Sequence, residues 1–177
     1  DFNCDYYGSS LHKWLATPLG AGLLYVNKNK THRIWPLLAN GNTNKSDIKR
    51  LNHIGTHPVH TDLAISNSID YLKWIGMERK EKRMRFLQRY WSDQLRNIKN
   101  VVVNTPIDIQ RSCGIGNVGL TNMSPSKMED ILFDKYNIFT VAIDYANVKG
   151  CRISPNIFTT TEELDSFVKA VKEMSLV

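Results

Sequence analysis

The residues with the most chemical potential stand close to the start of the sequence. Ser10, Leu11, His12 and Lys13 run together, and Pro18, Gly20 and Gly22 punctuate the stretch before an apolar run, GLLYV, that ends at Val26. A lysine in a glycine-punctuated loop that enters a strand can stand at a seam between domains. Partly withdrawn from water there, an amine is a nucleophile toward carbonyls. The Ser10 hydroxyl and the His12 ring offer hydrogen-bond donors suited to a phosphate. On residue types alone, a solvated loop lysine is much the commoner reading of the same letters.

Other constellations carry less. Residues 114–119 read Gly-Ile-Gly-Asn-Val-Gly, the G-x-G-x-x-G spacing of dinucleotide-binding loops. That motif has to close a strand and open a helix. Here Leu120, Thr121 and Asn122 continue as strand, and Ser124-Pro125 intervenes before the next helix. The glycines are therefore expected to mark a bulge or close packing. His53, His57 and His60 have neither an acidic partner at ligand spacing nor an H-E-x-x-H pattern, so loop histidines and no metal are expected. The three cysteines, Cys4, Cys113 and Cys151, are an odd number at wide spacings. They fit a reducing, cytoplasmic setting better than a disulfide scaffold, and no pair has zinc-ligand spacing.

The elements that must position these residues follow from periodicity. The GLLYV run reads as a buried strand, and residues 34–38 as a second one interrupted by Pro36. Pro58 keeps His57 out of helix, so residues 55–58 are loop. Ile65, Ile69, Leu72 and Ile75 mark a helical stripe, Gly76 ends or bends it, and Met77, Met84, Leu87, Trp91, Leu95 and Ile98 resume it. After residue 100 come short strands at 101–103, 113–120, 139–143 and 151–157. Two helices alternate with them, opened by the capping boxes Ser126-to-Glu129 and Thr160-to-Glu163. The expected organisation is residues 1–61 as the end of one domain, 62–98 as a connecting helical region, and 99–177 as a small α+β domain.

With 177 residues and 42 % apolar content the chain can build a real core. It has no apolar run of membrane-spanning length, and its first residues lack the basic and apolar regions of a signal peptide. Its formal charge is +6, with Arg79, Lys80, Lys82, Arg83, Arg85 and Arg89 clustered. Such a cluster can serve a nucleic acid or an anionic lipid. No aromatic residues alternate with the charges as a stacking surface would need. A solvated helix face is therefore expected, with no nucleic-acid and no membrane partner. An interaction module built on that basic helix remains the reading from a different functional class.

The run SLHKWLATPLGAGLLYV resembles the Schiff-base segment of class V aminotransferases, where a Ser-x-His-Lys loop precedes a Gly-x-Gly strand. Two further segments agree in order. Ile54-Gly55-Thr56 is similar to that family's Gly-Thr loop. Cys151-Arg152-Ile153-Ser154-Pro155, followed by Thr159-Thr160-Thr161-Glu162-Glu163, is similar to its Arg-Ile-Ser-Pro ending. The resemblance implies an α/β fold: part of a fold-type-I enzyme, with the end of the large domain, a long connecting helix and the small C-terminal domain. It implies pyridoxal 5'-phosphate as cofactor, held by Lys13 as a Schiff base. Ser10 and His12 would lie at the phosphate, with the ring as the alternative place for His12. Thr56 would reach the cofactor phosphate of a neighbouring subunit, which implies a homodimer. Arg152 would bind the α-carboxylate of an amino-acid substrate, for which a planar guanidinium fork is suited.

GTHP and RISPNIF point to the isopenicillin-N-epimerase-like subgroup. The implied activity is an aminotransferase first, an epimerase or racemase next, then a lyase. A cysteine desulfurase, which shares the fold, needs a mobile cysteine before the carboxylate arginine, and residues 136–150 hold none. The chain departs from the family by starting twelve residues before Lys13. The family's aspartate for the pyridine nitrogen and its ring-stacking residues belong further upstream, and Asp5 is too close to be that aspartate. The expectation is a piece of a longer protein, inactive alone.

Overall fold

The computed structural model describes residues 2–39, 41–52 and 55–176, and the chain divides into two compact units, Asp1–Ile75 and Gly76–Val177. In the first unit, β1 (Tyr6–Ser10) pairs antiparallel with β2 (Gly22–Val26), so that Ser10 lies opposite Gly22 and Tyr6 opposite Val26. The GLLYV strand is present, but it is not the buried strand expected. Leu23, Leu24 and Tyr25 are exposed, and only Val26 is buried. A two-stranded sheet of five-residue strands offers too little surface to bury its own side chains.

Residues 34–38 form no strand. A 3₁₀ turn, Lys28–Arg33, leads into them, and Pro36 cannot donate to a ladder. This stretch is anchored by the buried Arg50, whose Nη2 donates to the carbonyls of Thr31 at 2.7 Å and Ile34 at 2.6 Å. Helix α1 (Val59–Ile75) departs from its expected stripe as well. Ile65, Leu72 and Ile75 are half-buried, Ile69 is exposed, and Thr61 and Ser68 are the buried residues.

The second unit is built on an antiparallel sheet of order β3-β4-β6-β5, formed by β3 (Val101–Val103), β4 (Gly116–Leu120), β5 (Val141–Tyr145) and β6 (Val148–Ile153). Helices α2 (Met77–Leu95), α3 (Pro125–Tyr136) and α4 (Thr161–Met174) complete it. Leu87, Trp91 and Leu95 of the predicted stripe are fully buried, together with Val118, Met128, Leu132, Cys151 and Val171. Trp91 meets Phe167 edge to face, with ring centroids 5.6 Å apart. The expected connecting region, 62–98, is two helices that fall in different units. The break is at Gly76, whose φ of 88° favours a residue without Cβ.

Several boundaries differ from the sequence expectation for local reasons. Helix α3 is capped by Ser124, whose hydroxyl accepts from Lys127 N, because Pro125 fits the first helical position and the cap must precede it. Glu129, freed from the expected box with Ser126, accepts from Ala142 N at 3.2 Å. Strand β6 begins three residues before Cys151 and stops at Ile153, ahead of Pro155. The Thr160–Glu163 box forms as expected: Glu163 N donates to Thr160 Oγ1 at 3.2 Å and Thr160 N to Glu163 Oε2 at 2.8 Å.

Candidate functional site

The turn from β1 to β2 carries Ser10, His12 and Lys13. Pairing runs to Ser10–Gly22, and Leu11 N extends it by donating to Ala21 O at 3.0 Å. The chain then folds back on itself: Ala16 N donates to Lys13 O at 3.3 Å and Thr17 N to Leu11 O at 3.4 Å, with Ala16 at φ 60°. Helix α1 braces the turn from below, because the Ser68 hydroxyl donates to Ala16 O at 3.4 Å. Lys13 thus stands on a loop closed at both ends, with its side chain exposed. Ser10 is exposed beside it. His12 is half-buried, and its Nδ1 is shut off from solvent with no hydrogen-bond partner among the described residues.

An unpaired buried nitrogen is costly, on the order of 1–3 kcal/mol, and native structures normally satisfy such atoms. Within three residues along the same turn the chain also carries a hydroxyl, Ser10, and a primary amine, Lys13. A group bearing a phosphate and an aldehyde fits this donor set: the hydroxyl and imidazole for the oxygens, the amine for the carbonyl carbon.

Thr56 lies on the exposed loop that leads into α1. No hydrogen bond joins it to Ser10, His12 or Lys13 among the described residues. The ring of His57 is held on both sides: Nδ1 lies 3.0 Å from Gly55 O, and Nε2 lies 3.3 Å from the Asp62 carboxylate. His53 and Ile54 lie outside the described residues. Among those described, no group of His, Cys, Asp or Glu forms a metal site.

Arg152 belongs to the second unit, next to the last residue of β6, where strands pair on either side. Asn117 of β4 and Val141 of β5 are its cross-strand partners. Cys151 and Ile153 are buried while Arg152 between them is exposed, so its side chain stands on the face away from the core. Among the described residues its guanidinium has no hydrogen bond and no ion pair. The neighbouring Asn117 was not singled out by sequence reasoning, since nothing short of the strand register connects it to Arg152.

Three motifs resolve into structure. The G-x-G-x-x-G glycines serve packing, as expected: a Cβ on Gly114 would come 2.4 Å from Met84 Cε, one on Gly116 2.4 Å from Trp91 Cζ2, and one on Gly119 2.2 Å from Lys149 O. Strand β5 turns into β6 through Ala146 and Asn147 alone, since Tyr145 pairs with Val148. Cys151 is fully buried with its thiol 3.5 Å from Pro125 O, and burial pushes that thiol up from its ordinary range. No helix is long and apolar enough to cross a membrane among the described residues.

The sequence model described as aminotransferase class-V matches residues 1–167. Among curated relatives, the isopenicillin N epimerase of Amycolatopsis lactamdurans is 25 % identical over 97 % of this chain and 47 % of its own length. A cysteine desulfurase of Haloferax volcanii is 24 % identical over 97 % of the chain and 44 % of its own length. Among solved structures, the apo cysteine desulfurase of Thermococcus onnurineus NA1 superposes with a TM-score of 0.81 at 19 % identity, covering 97 % of this chain and 47 % of that one. The chain spans about half the length of the curated relatives it matches.

Proposed function

The chain belongs to the class-V aminotransferase family, and from that premise we propose that it is part of an enzyme that moves the Cα proton of an amino acid, an aminotransferase in the first instance. The family depends on pyridoxal phosphate, and its fold-type-I architecture is the one seen in the solved relatives. In this reading residues 1–61 close the large cofactor-binding domain and residues 99–177 form the small domain. The observation that carries it is the β1–β2 turn: an exposed lysine, an exposed hydroxyl and a histidine nitrogen without a partner, all on one braced loop.

Lys13 would hold the cofactor, with Ser10 and His12 at its phosphate. When bound, the cofactor supplies an electron sink for the substrate's Cα. The Lys13 amine, once free, is the base that takes the Cα proton. Delivery of a proton to the opposite face of Cα gives an epimer, and its delivery elsewhere lets the amino group leave. The same lysine removes the proton in both outcomes, and the epimerase is the second reading, favoured by the relatives of that name. Arg152 would bind the substrate carboxylate. Thr56 would complete the phosphate site of a second subunit, making the enzyme a homodimer. Extraction of sulfur fits poorly. The two-residue turn between β5 and β6 holds no cysteine, and the Cys151 thiol is locked in the core.

The test uses the full-length protein with pyridoxal phosphate. Cα-proton exchange into heavy water is followed by NMR across the proteinogenic amino acids. The wild type should exchange at least one of them, and Lys13→Ala should abolish both exchange and the visible absorbance that borohydride bleaches. Unchanged exchange in Lys13→Ala, or sulfide release from cysteine as the sole activity, would overturn the reading.

A further inference from the structure

We infer that Asn117 is a second carboxylate-binding donor beside Arg152, oriented by Asn104, and that it helps restrict the substrate to free amino acids. This rests on the reading of Arg152 as the carboxylate site. Asn117 and Arg152 are direct partners in the β4–β6 register. Such partners carry their side chains on one face of the sheet, with Cβ atoms about 5 Å apart. That face is the one turned away from the core, so Arg152 has an amide on one side and Val141 on the other.

The amide is not free to turn. Asn104 Nδ2 donates to Asn117 Oδ1 at 2.7 Å and to Lys149 O at 3.0 Å, which fixes both asparagines to the β6 backbone. The backbone of Asn117 is pinned as well: its N donates to Thr105 Oγ1 at 2.7 Å, and its carbonyl accepts from Asn104 N at 3.0 Å. Gly150 leaves the room this needs, since a Cβ there would stand 2.7 Å from Asn117 Oδ1. Turning the amide over would set two N–H₂ groups against each other. With Oδ1 engaged, the free end is Nδ2, which has no acceptor among the described residues.

What stands beside the unpaired guanidinium is therefore another donor. An acceptor at that place could engage Arg152 within the sheet; a donor adds to it. A fixed amide donor beside a cationic one suits a planar anion with two acceptor oxygens. A carboxamide would bring its own N–H₂ against them and bind poorly. Arg152 supplies charge, and Asn117 selects the oxygen-bearing plane.

The experiment uses the full-length enzyme with cofactor bound. The substrates are the fastest-exchanging amino acid of the panel above and the amine left when its carboxylate is removed. Asn117→Ala should raise KM for the amino acid about tenfold or more, the scale for losing a hydrogen bond to a charged group. It should leave kcat/KM for the amine and the visible spectrum unchanged. Asn117→Asp keeps the oxygen that Asn104 binds, so folding is preserved, but sets a negative oxygen beside Arg152. Its loss on the amino acid should exceed that of Asn117→Ala, and thermal melting should match the wild type.

Asn104→Ala should show a smaller loss with the same selectivity. If Asn117→Ala does not fold, the Asn117→Asp variant decides alone. An amino-acid KM within about twofold of wild type in Asn117→Asp, with Arg152→Ala still selective, overturns the role of Asn117 and leaves that of Arg152 standing. Equal losses on amino acid and amine in the Asn117 variants overturn it too. Loss of selectivity in none of the variants, Arg152→Ala included, overturns both.

Discussion

Arg152→Ala tests the carboxylate site directly. The residue is held by paired strands on both sides, so truncating its side chain leaves its backbone position intact. The guanidinium is exposed and has no partner among the described residues, so the fold loses little: about 0.5 kcal/mol or less, as for an ordinary surface substitution. The substrate loses more. Removing one partner of a buried, hydrogen-bonded charge pair costs about 2–5 kcal/mol. Water reaches Arg152 in this chain, and screening places the expectation at the lower end, about 2–3 kcal/mol. At about 1.4 kcal/mol per factor of ten, that is a loss of roughly 30- to 150-fold in kcat/KM. Arg152→Lys keeps the charge but not the planar fork, so it should recover only part of the loss. Steady-state kinetics on an amino acid and its decarboxylated amine, in wild type and both variants, separate recognition from scaffold. The loss should fall on the amino acid, with the visible spectrum of the bound cofactor unchanged. Equal losses on both compounds, or a fall in melting temperature that accounts for them, would refute the reasoning and make Arg152 a structural residue.

The Thr56 loop predicts a homodimer: Thr56→Ala in the full-length protein should weaken cofactor retention on dialysis several-fold. Full activity in a species that sediments as a monomer would remove the basis for that role. Gly116→Ala should destabilise the second unit by about 1–3 kcal/mol, the cost of overpacking, because the new methyl would meet the Trp91 ring at 2.4 Å. Thr160→Ala should cost about 1 kcal/mol, the usual worth of an N-cap. Both are read by urea denaturation, and Thr160→Ala should leave the amino-acid-to-amine ratio alone.

Residues with strong local signals were read correctly from sequence. The stripe of Leu87, Trp91 and Leu95 falls in the core, and the Thr160–Glu163 box closes on itself, because both depend on neighbours within a turn or two. The glycines at 114, 116 and 119 were placed as packing residues, but what they pack against, Met84, Trp91 and the Lys149 carbonyl, is distant in sequence. The misreadings share a cause. GLLYV has the composition of a buried strand, yet burial depends on a second layer that no property of those five residues supplies. Ser126 with Glu129 matched a capping box that Pro125 displaced by two positions. At the candidate site, Lys13 stood out through the resemblance carried by the run around it, which is contiguous in sequence. Asn117 did not, since it lies beside Arg152 only through strand register.

The basic cluster on α2 bears on the choice between an enzyme and a charge-driven binding module. A surface made to bind phosphates must keep its guanidinium groups available. Here they are largely engaged. Arg83 donates to the carbonyls of Ile157 and Thr159, at 3.4 and 2.8 Å. Arg85 donates to those of Ile109 and Ser112 while pairing with Glu81. Arg89 reaches Ile107 O and Asp93, and Arg96 reaches Thr105 O at 3.0 Å. Lys82 pairs with Glu78 at 2.6 Å. These bonds tie the 105–112 loop and the segment after β6 to α2 and Arg96, so the same side chains have a structural role within the second unit. Arg83 ties down the segment that directly follows the strand of Arg152, and Arg96 holds Thr105, whose hydroxyl accepts from Asn117 N. The arginines that first suggest a partner thus also frame the sheet where Arg152 and Asn117 stand.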